Sequence, residues 1–163
     1  RTSDALAAVH RMLEVIPGLE FGVERSQVGM RLADSGDLLA LPFADDSVES
    51  ISCLHTIEHV GLGRYGDPLD AEGDIKAAKE LARVVAKGGS FLFVTPVGKP
   101  KIAFNAHRIY SYEQVLALFP GLKLKEFSMV PDDFRTHGLI INADKNAVKD
   151  QEWACGCFWF VKE

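Results

Sequence analysis

The segment His55-Thr-Ile-Glu58-His59 sets two imidazoles and a carboxylate within five residues of one another. The spacing fits H-x-x-E-H, an inverted zinc-protease pattern. That chemistry needs both histidines on one helical face and a further carboxylate ligand elsewhere. A strand-like run precedes the motif and Gly61-Leu-Gly63 follows it, so a helix of useful length does not fit and no metal is expected. Glu58 and His59 suit a different task. At the mouth of a sheet, His59 is a candidate general base toward a hydroxyl or amine, because an imidazole with its ordinary pKa of about 6.5 changes charge near neutrality. The plainer alternative is a Glu-His pair that anchors a loop.

Further candidates lie downstream. Arg64, Tyr65, Asp67, Asp70, Glu72 and Asp74 make one loop unusually polar, suiting a polar acceptor or a hard cation. The plainer role for Asp74 and its neighbours is to favour the positive end of the helix that follows. Asn105, His107 and Arg108 share a second loop, where Arg108 is placed to clamp a carboxylate or phosphate. Cys155-Gly-Cys157 has no second Cys/His pair at zinc-finger spacing, so two thiols buried in a terminal strand are expected. Phe158, Trp159 and Phe160 after them read as core, without the basic interleaving of a single-strand nucleic-acid platform.

These residues need a scaffold. Asp4 to Val15 has apolar residues at helical spacing, with Ser3 as N-cap and Pro17-Gly18 as stop. Residues 19–23 alternate as a strand. Val48 to Leu54 reads as a strand ending at His55, and residues 61–73 as a glycine-rich loop. Asp74 to Ala86 reads as a helix with Ile75, Ala78, Leu81, Ala82 and Val85 inward, stopped by Gly88-Gly89. Ser90 to Thr95 holds the continuous apolar run Phe91-Leu-Phe-Val94 of a strand buried on both faces. A loop over 96–110 leads to a helix capped by Ser111 and running to Phe119, with Glu113 close behind the cap. Leu122 to Val130 forms a strand, 131–152 a long loop, and Trp153 to Val161 the last strand. Alternation of this kind implies an α/β sheet covered by helices, whose ligands sit beyond the carboxyl ends of the strands.

The 163 residues suit one domain, with 47% hydrophobic and 25% charged residues. Disorder is excluded, as is an apolar run of the roughly 18 residues that a membrane span needs. A formal net charge of −5 argues against a nucleic-acid partner. Three cysteines suit a reducing cytoplasm. No secretory or transit signal is visible, and the opening Arg1 in place of Met suggests a longer translation product.

Asp37-Leu-Leu-Ala-Leu-Pro-Phe43, Asp46-Ser-Val-Glu49 and Ile57-Glu58-His59 together resemble the middle of class I S-adenosylmethionine-dependent methyltransferases. Glu80-Leu-Ala-Arg-Val-Val-Ala-Lys-Gly-Gly-Ser-Phe-Leu-Phe93 is similar to the helix, Gly-Gly turn and fifth strand of that fold. Gly61-Leu-Gly-Arg-Tyr-Gly-Asp-Pro68 and Asn105-Ala-His-Arg108 resemble a narrower, poorly characterised methyltransferase-like branch. The resemblance implies a three-layer Rossmann-like sheet, mostly parallel with an antiparallel C-terminal strand. It implies S-adenosylmethionine as cofactor, with Asp37 accepting from the adenine amine, Glu24 at the ribose, and Leu38 and His55 beside them. Glu58 and His59 would then be catalytic toward a small polar acceptor bound by Arg64, Tyr65, Asn105, His107 and Arg108. The family's glycine-rich turn is not found before Asp37, where Gly18, Gly22, Gly29 and Gly36 form no G-x-G-x-G. The expectation is therefore one domain over 1–163, truncated or degenerate before residue 19. The alternative is an inactive methyltransferase-like binding or scaffold domain.

Overall fold

The computed structural model describes residues 37–163. The expected helix at 4–15, the strand at 19–23 and Glu24 lie outside the described residues. Among the described residues six strands are present: β1 (Val48–Leu54), β2 (Val85–Val97), β3 (Lys101–Ala103), β4 (His107–Ile109), β5 (Leu122–Val130) and β6 (Ala154–Lys162). The helices are α1 (Gly73–Val84), α2 (Tyr112–Leu118) and the single turn α3 (Phe134–His137). Short 3-10 segments cover Ile57–His59 and Lys145–Asp150.

The main sheet has the order β1-β2-β6-β5. β1 and β2 are parallel, and β6 runs antiparallel to both β2 and β5. Three strands therefore point the same way, and the last is threaded between two of them against the grain. Phe91, Leu92, Phe93 and Val94 are all buried, as their unbroken apolar run requires of a central strand. Alternation then sorts the two faces. Ile51, Cys53, Phe91, Phe93, Phe127, Met129, Phe158 and Phe160 share the larger core with Ala77, Ala78, Leu81 and Val84 of α1 and Val115 of α2. Phe119, just past α2, packs edge-on against Phe91 and Phe93 at 5.0 Å each. Leu92, Val94 and Cys157 form the smaller cluster on the opposite face, joined by Leu54, Leu139, Cys155 and Trp159.

Two segments that the sequence separates by 40 residues hold each other. Arg83 of α1 donates to the carbonyls of Phe43 and Leu41 and pairs with Glu80 and Asp45, at 2.6–3.1 Å. Glu80 in turn accepts the Leu41 N–H at 2.9 Å. The Leu-Pro-Phe turn and the Glu80-x-x-Arg83 helix face are thus one unit, which positions β1 against α1.

Several boundaries differ from the sequence expectation. α1 ends at Val84, because Val85 turns extended at once and opens β2. Gly88-Gly89 is no helix stop. It lies in an irregularity of β2, where the register jumps from Val48↔Val85 to Ser50↔Ser90 and Gly88 takes φ +76°. The inward stripe of α1 is rotated by one residue: Asp74, Ala77, Ala78, Leu81 and Val84 are buried, whereas Ile75 is exposed. Asp74 is the residue drawn inward, by Arg108 and Tyr110. The expected loop at 96–110 contains the β3–β4 hairpin, turned at Asn105 with φ +52°. The Ser111 cap is confirmed, and it is completed by Gln114 as a reciprocal capping box.

Candidate active site

Three chain directions meet at the carboxyl ends of β1 and β2. His55, directly after β1, has φ +50°, a left-handed conformation that breaks the strand and turns the chain into the 3-10 segment. β2 ends in Thr95-Pro96-Val97, and β6 begins beside it, with Pro96 paired to Cys155. Between them lies a cleft of about 380 Å³ whose walls include His55, Glu58, His59, Arg64, His107 and Cys155. That volume falls within the range of small-molecule sites, roughly 300–1,000 Å³.

Glu58 is the buried charge of this cleft, 1% exposed. Its Oε1 accepts from His55 Nδ1 at 3.1 Å and lies 3.8 Å from His59 Nε2. Among the described residues its Oε2 has no hydrogen-bond partner. His59 Nδ1 donates to the carbonyl oxygen of Ala106. A carbonyl only accepts, so in the neutral ring Nε2 carries the lone pair. Tyr65 and His107 meet the His59 ring edge-on at 5.7 and 6.3 Å.

His55 faces acceptors on both sides: its Nε2 lies 3.4 Å from Cys155 Sγ. The hydrogen bonds to Cys155 and then to Glu58 push His55 up to about 10. Cys155 moves the other way, to about 6, because Cys157 donates to it and His55 follows, overcoming its burial. Cys157 is pushed up, since it donates to Cys155 and is itself buried. His107 stacks on Trp153 with centroids 4.6 Å apart and planes 19° from parallel. Burial, and then the neighbouring His59, lower its pKa.

The acidic loop at 61–73 spends its carboxylates on itself. Asp67 accepts the backbone N–H groups of Gly61, Gly63 and Tyr65 at 2.7–3.4 Å. Asp70 pairs with Lys76 and accepts the Glu72 N–H. Gly61, at φ +77°, is required where the loop closes: a Cβ there would come within 2.1 Å of the Asp70 carbonyl oxygen. Among the described residues no group of three His, Cys, Asp or Glu side chains is arranged to hold a metal. The H-x-x-E-H segment forms a single 3-10 turn, with His59 turned to Ala106.

Arg108, expected beside the acceptor, is instead beneath the loop and 4% exposed. It donates to the carbonyls of Val60 and Ala71 and pairs with Asp74 at 3.3 Å. Held by these contacts, it braces the cleft from behind. Asn105 is exposed at the hairpin turn and does not line the cleft. Arg64 and Tyr65 contact each other at the rim, where Tyr65 is 74% exposed. Asp37 is exposed, and its Oδ1 accepts the Leu39 N–H at 2.9 Å, while Leu38 packs on the core. The structure thus gathers His55, Glu58, His59, Arg64 and His107, and it adds Cys155 and Trp153. Cys155, expected as a buried thiol, stands two residues into the strand expected at 153–161, and that place near the sheet edge was the available signal.

The fold has well-aligned counterparts among solved structures. A geranyl diphosphate methyltransferase in complex with SAM aligns with TM-score 0.54 and 14% identity, covering 85% of this chain and 62% of that one. A SAM-dependent methyltransferase from Thermotoga maritima, a possible histamine N-methyltransferase, aligns with TM-score 0.52 and 17% identity, over 78% and 62%. The [4+2]-cyclase SpnF aligns with TM-score 0.52 and 12% identity, over 78% and 54%. The chain thus spans less than two thirds of the length of each. At such identities the likeness is one of fold, and the fold is that of class I methyltransferases. No curated protein matches the chain. The family described as "Caenorhabditis protein of unknown function, DUF268" matches residues 42–139, more than half of the sequence and including His55, Glu58, His59, Arg64 and His107 of the cleft, and the chain belongs to that family.

Proposed function

We propose that the chain transfers a methyl group from S-adenosylmethionine to a small polar acceptor, on a three-layer sheet of the class I kind. The observation that carries this reading is the His59–Glu58 pair at the carboxyl ends of β1 and β2, within a fold shared with methyltransferases. The cleft fits a cationic guest. Among the described residues Glu58 Oε2 is a buried acceptor without a donor, a state that costs free energy until a donor or positive charge arrives. S-adenosylmethionine carries a sulfonium and an ammonium, and when bound it supplies an electrophilic methyl group.

The chain's own residues supply the rest. His59 accepts the acceptor's proton at Nε2, while the Ala106 carbonyl keeps Nδ1–H in place and Glu58 offsets the new positive charge. The stacked His107 and Trp153 give the cleft an aromatic wall against which the reactants can pack. Arg64 and Tyr65 stand at the rim to meet the acceptor's polar groups. Asp37 and Leu38, with Glu24, belong to the adenosine end. One oxygen of Asp37 serves Leu39, and a carboxylate has further acceptor capacity for the adenine amine.

A second reading, a methyltransferase-like binding domain without turnover, is favoured by the exposure of Asp37 and its engagement in its own turn. Calorimetry with S-adenosylhomocysteine separates the two from an empty site. Saturable heat is expected, weakened about tenfold in Asp37→Ala, the worth of one hydrogen bond to a charged group. Absence of heat at about 1 mM ligand, an affinity poorer than about 4 kcal/mol, overturns cofactor binding. Heat that survives Asp37→Ala unchanged, with no methyl transfer to any tested acceptor, favours the second reading.

A further inference from the structure

We propose that Cys155, His55 and Glu58 form a nucleophilic thiolate site that bonds covalently to soft carbon electrophiles entering the cleft. The arrangement has the three parts of an activated nucleophile. Cys155 Sγ lies 3.4 Å from His55 Nε2, and His55 Nδ1 lies 3.1 Å from Glu58 Oε1. Glu58 is buried and cannot swing away, so the ring is held by its far nitrogen. All three line the same cleft, and Cys155 is half-buried, open enough to be reached.

Every neighbouring element contributes to the charge balance. His55, from the end of β1, and the thiol of Cys157, on β6 itself, favour the thiolate. Glu58 on the 3-10 turn opposes it, and Glu126 of β5 acts on Cys157 in the same sense. Arg64, His59 and His107 border the cleft from the loop, the 3-10 turn and β4. The other cysteines are unsuited: Cys53 is buried and pushed up to about 12, and Cys157 is fully buried.

Two electrophile classes fit. With a haloacetamide the Sγ–carbon bond forms as the carbon–halogen bond breaks, and the halide leaves with the electron pair. His55 keeps its proton. With an α,β-unsaturated carbonyl, Sγ bonds to the β-carbon, and His55 Nε2 delivers its proton to the α-carbon, becoming neutral.

The test uses iodoacetamide on the whole chain without cofactor, with the labelled peptides followed by mass spectrometry from pH 5 to 10. Cys155 should label first, with a rate half-maximal near pH 6. In His55→Asn the half-point should rise toward that of an ordinary thiol, 9.0. A wild-type half-point already near that value, or one unmoved by His55→Asn, overturns the site. Should His55→Asn fail to fold, thiolate absorbance at pH 7.5 decides: wild type should exceed Cys155→Ser by one thiolate, and equality overturns the proposal. Because no cofactor is present, this result stands whether or not the calorimetry shows S-adenosylhomocysteine binding.

Discussion

Asp74 and Glu58 are both buried carboxylates, at 6% and 1% exposure, and they are treated in opposite ways. Asp74 Oδ2 receives Arg108 at 3.3 Å and the Tyr110 hydroxyl at 3.0 Å. Glu58 has His55 on one oxygen and, among the described residues, no donor on the other. The first carboxylate is neutralised by residues of its own scaffold, and its work is to join α1 to β4. The second keeps a buried acceptor without a donor among the described residues, on a side chain that lines a cleft. Burial alone does not mark a functional charge. An unfilled valence within a preformed wall does, because folding has accepted a cost that only a guest can offset.

The widest gap between the two carboxylates should appear on cutting the partner of the satisfied one. Arg108→Ala strands Asp74 and frees the Val60 and Ala71 carbonyls, so denaturant titration should show a loss of about 3–5 kcal/mol. Glu58→Gln is the counterpart. It removes a half-satisfied buried charge yet keeps an oxygen for His55, so stability should change by less than about 1 kcal/mol. Methyl transfer should suffer in that variant. Comparable stability losses in the two variants would break the contrast.

The smallest effect is one of pH. His55 is raised to about 10, so its stabilising share is full below its ordinary 6.5 and is lost as pH rises through about 10. Cys155 is lowered to about 6, so its share is present above its ordinary 9.0 and is lost as pH falls through about 6. Melting of wild type against Cys155→Ser should therefore differ most between these limits and converge below pH 6. Partial exposure of His55 keeps the difference under about 1 kcal/mol.

The strands at 48–54 and 122–130 were legible to the residue, because local periodicity and flanking turn residues coincide there. The phase of α1 was not. Ile75 outranks Asp74 on any apolar scale, and only Arg108 and Tyr110, more than 30 residues away, reverse the order. The hairpin at 101–109 was missed because a three-residue strand carries almost no alternation. The methyltransferase-like fold was legible from the segments between Asp37 and Phe93, and Arg83 shows why they travel together: they bind one another. Within the candidate site, His55, Glu58 and His59 stood out as a local motif. Cys155 sits 100 residues from His55, and no spacing rule announces such a neighbour. Arg108 shows the reverse problem: expected as a clamp on the acceptor, it is spent on the Val60 and Ala71 carbonyls and Asp74, partners that no local spacing reveals.

The threading of β6 between β2 and β5 has a consequence for biogenesis. Until residues 154–162 leave the ribosome, β2 and β5 each present an unpaired edge to other chains. The same delay governs reactivity: Cys155 and its imidazole partner come together only when that strand docks. An emerging chain thus carries no activated sulfur to lose to cellular oxidants, and the reactive centre is commissioned by completion of the sheet.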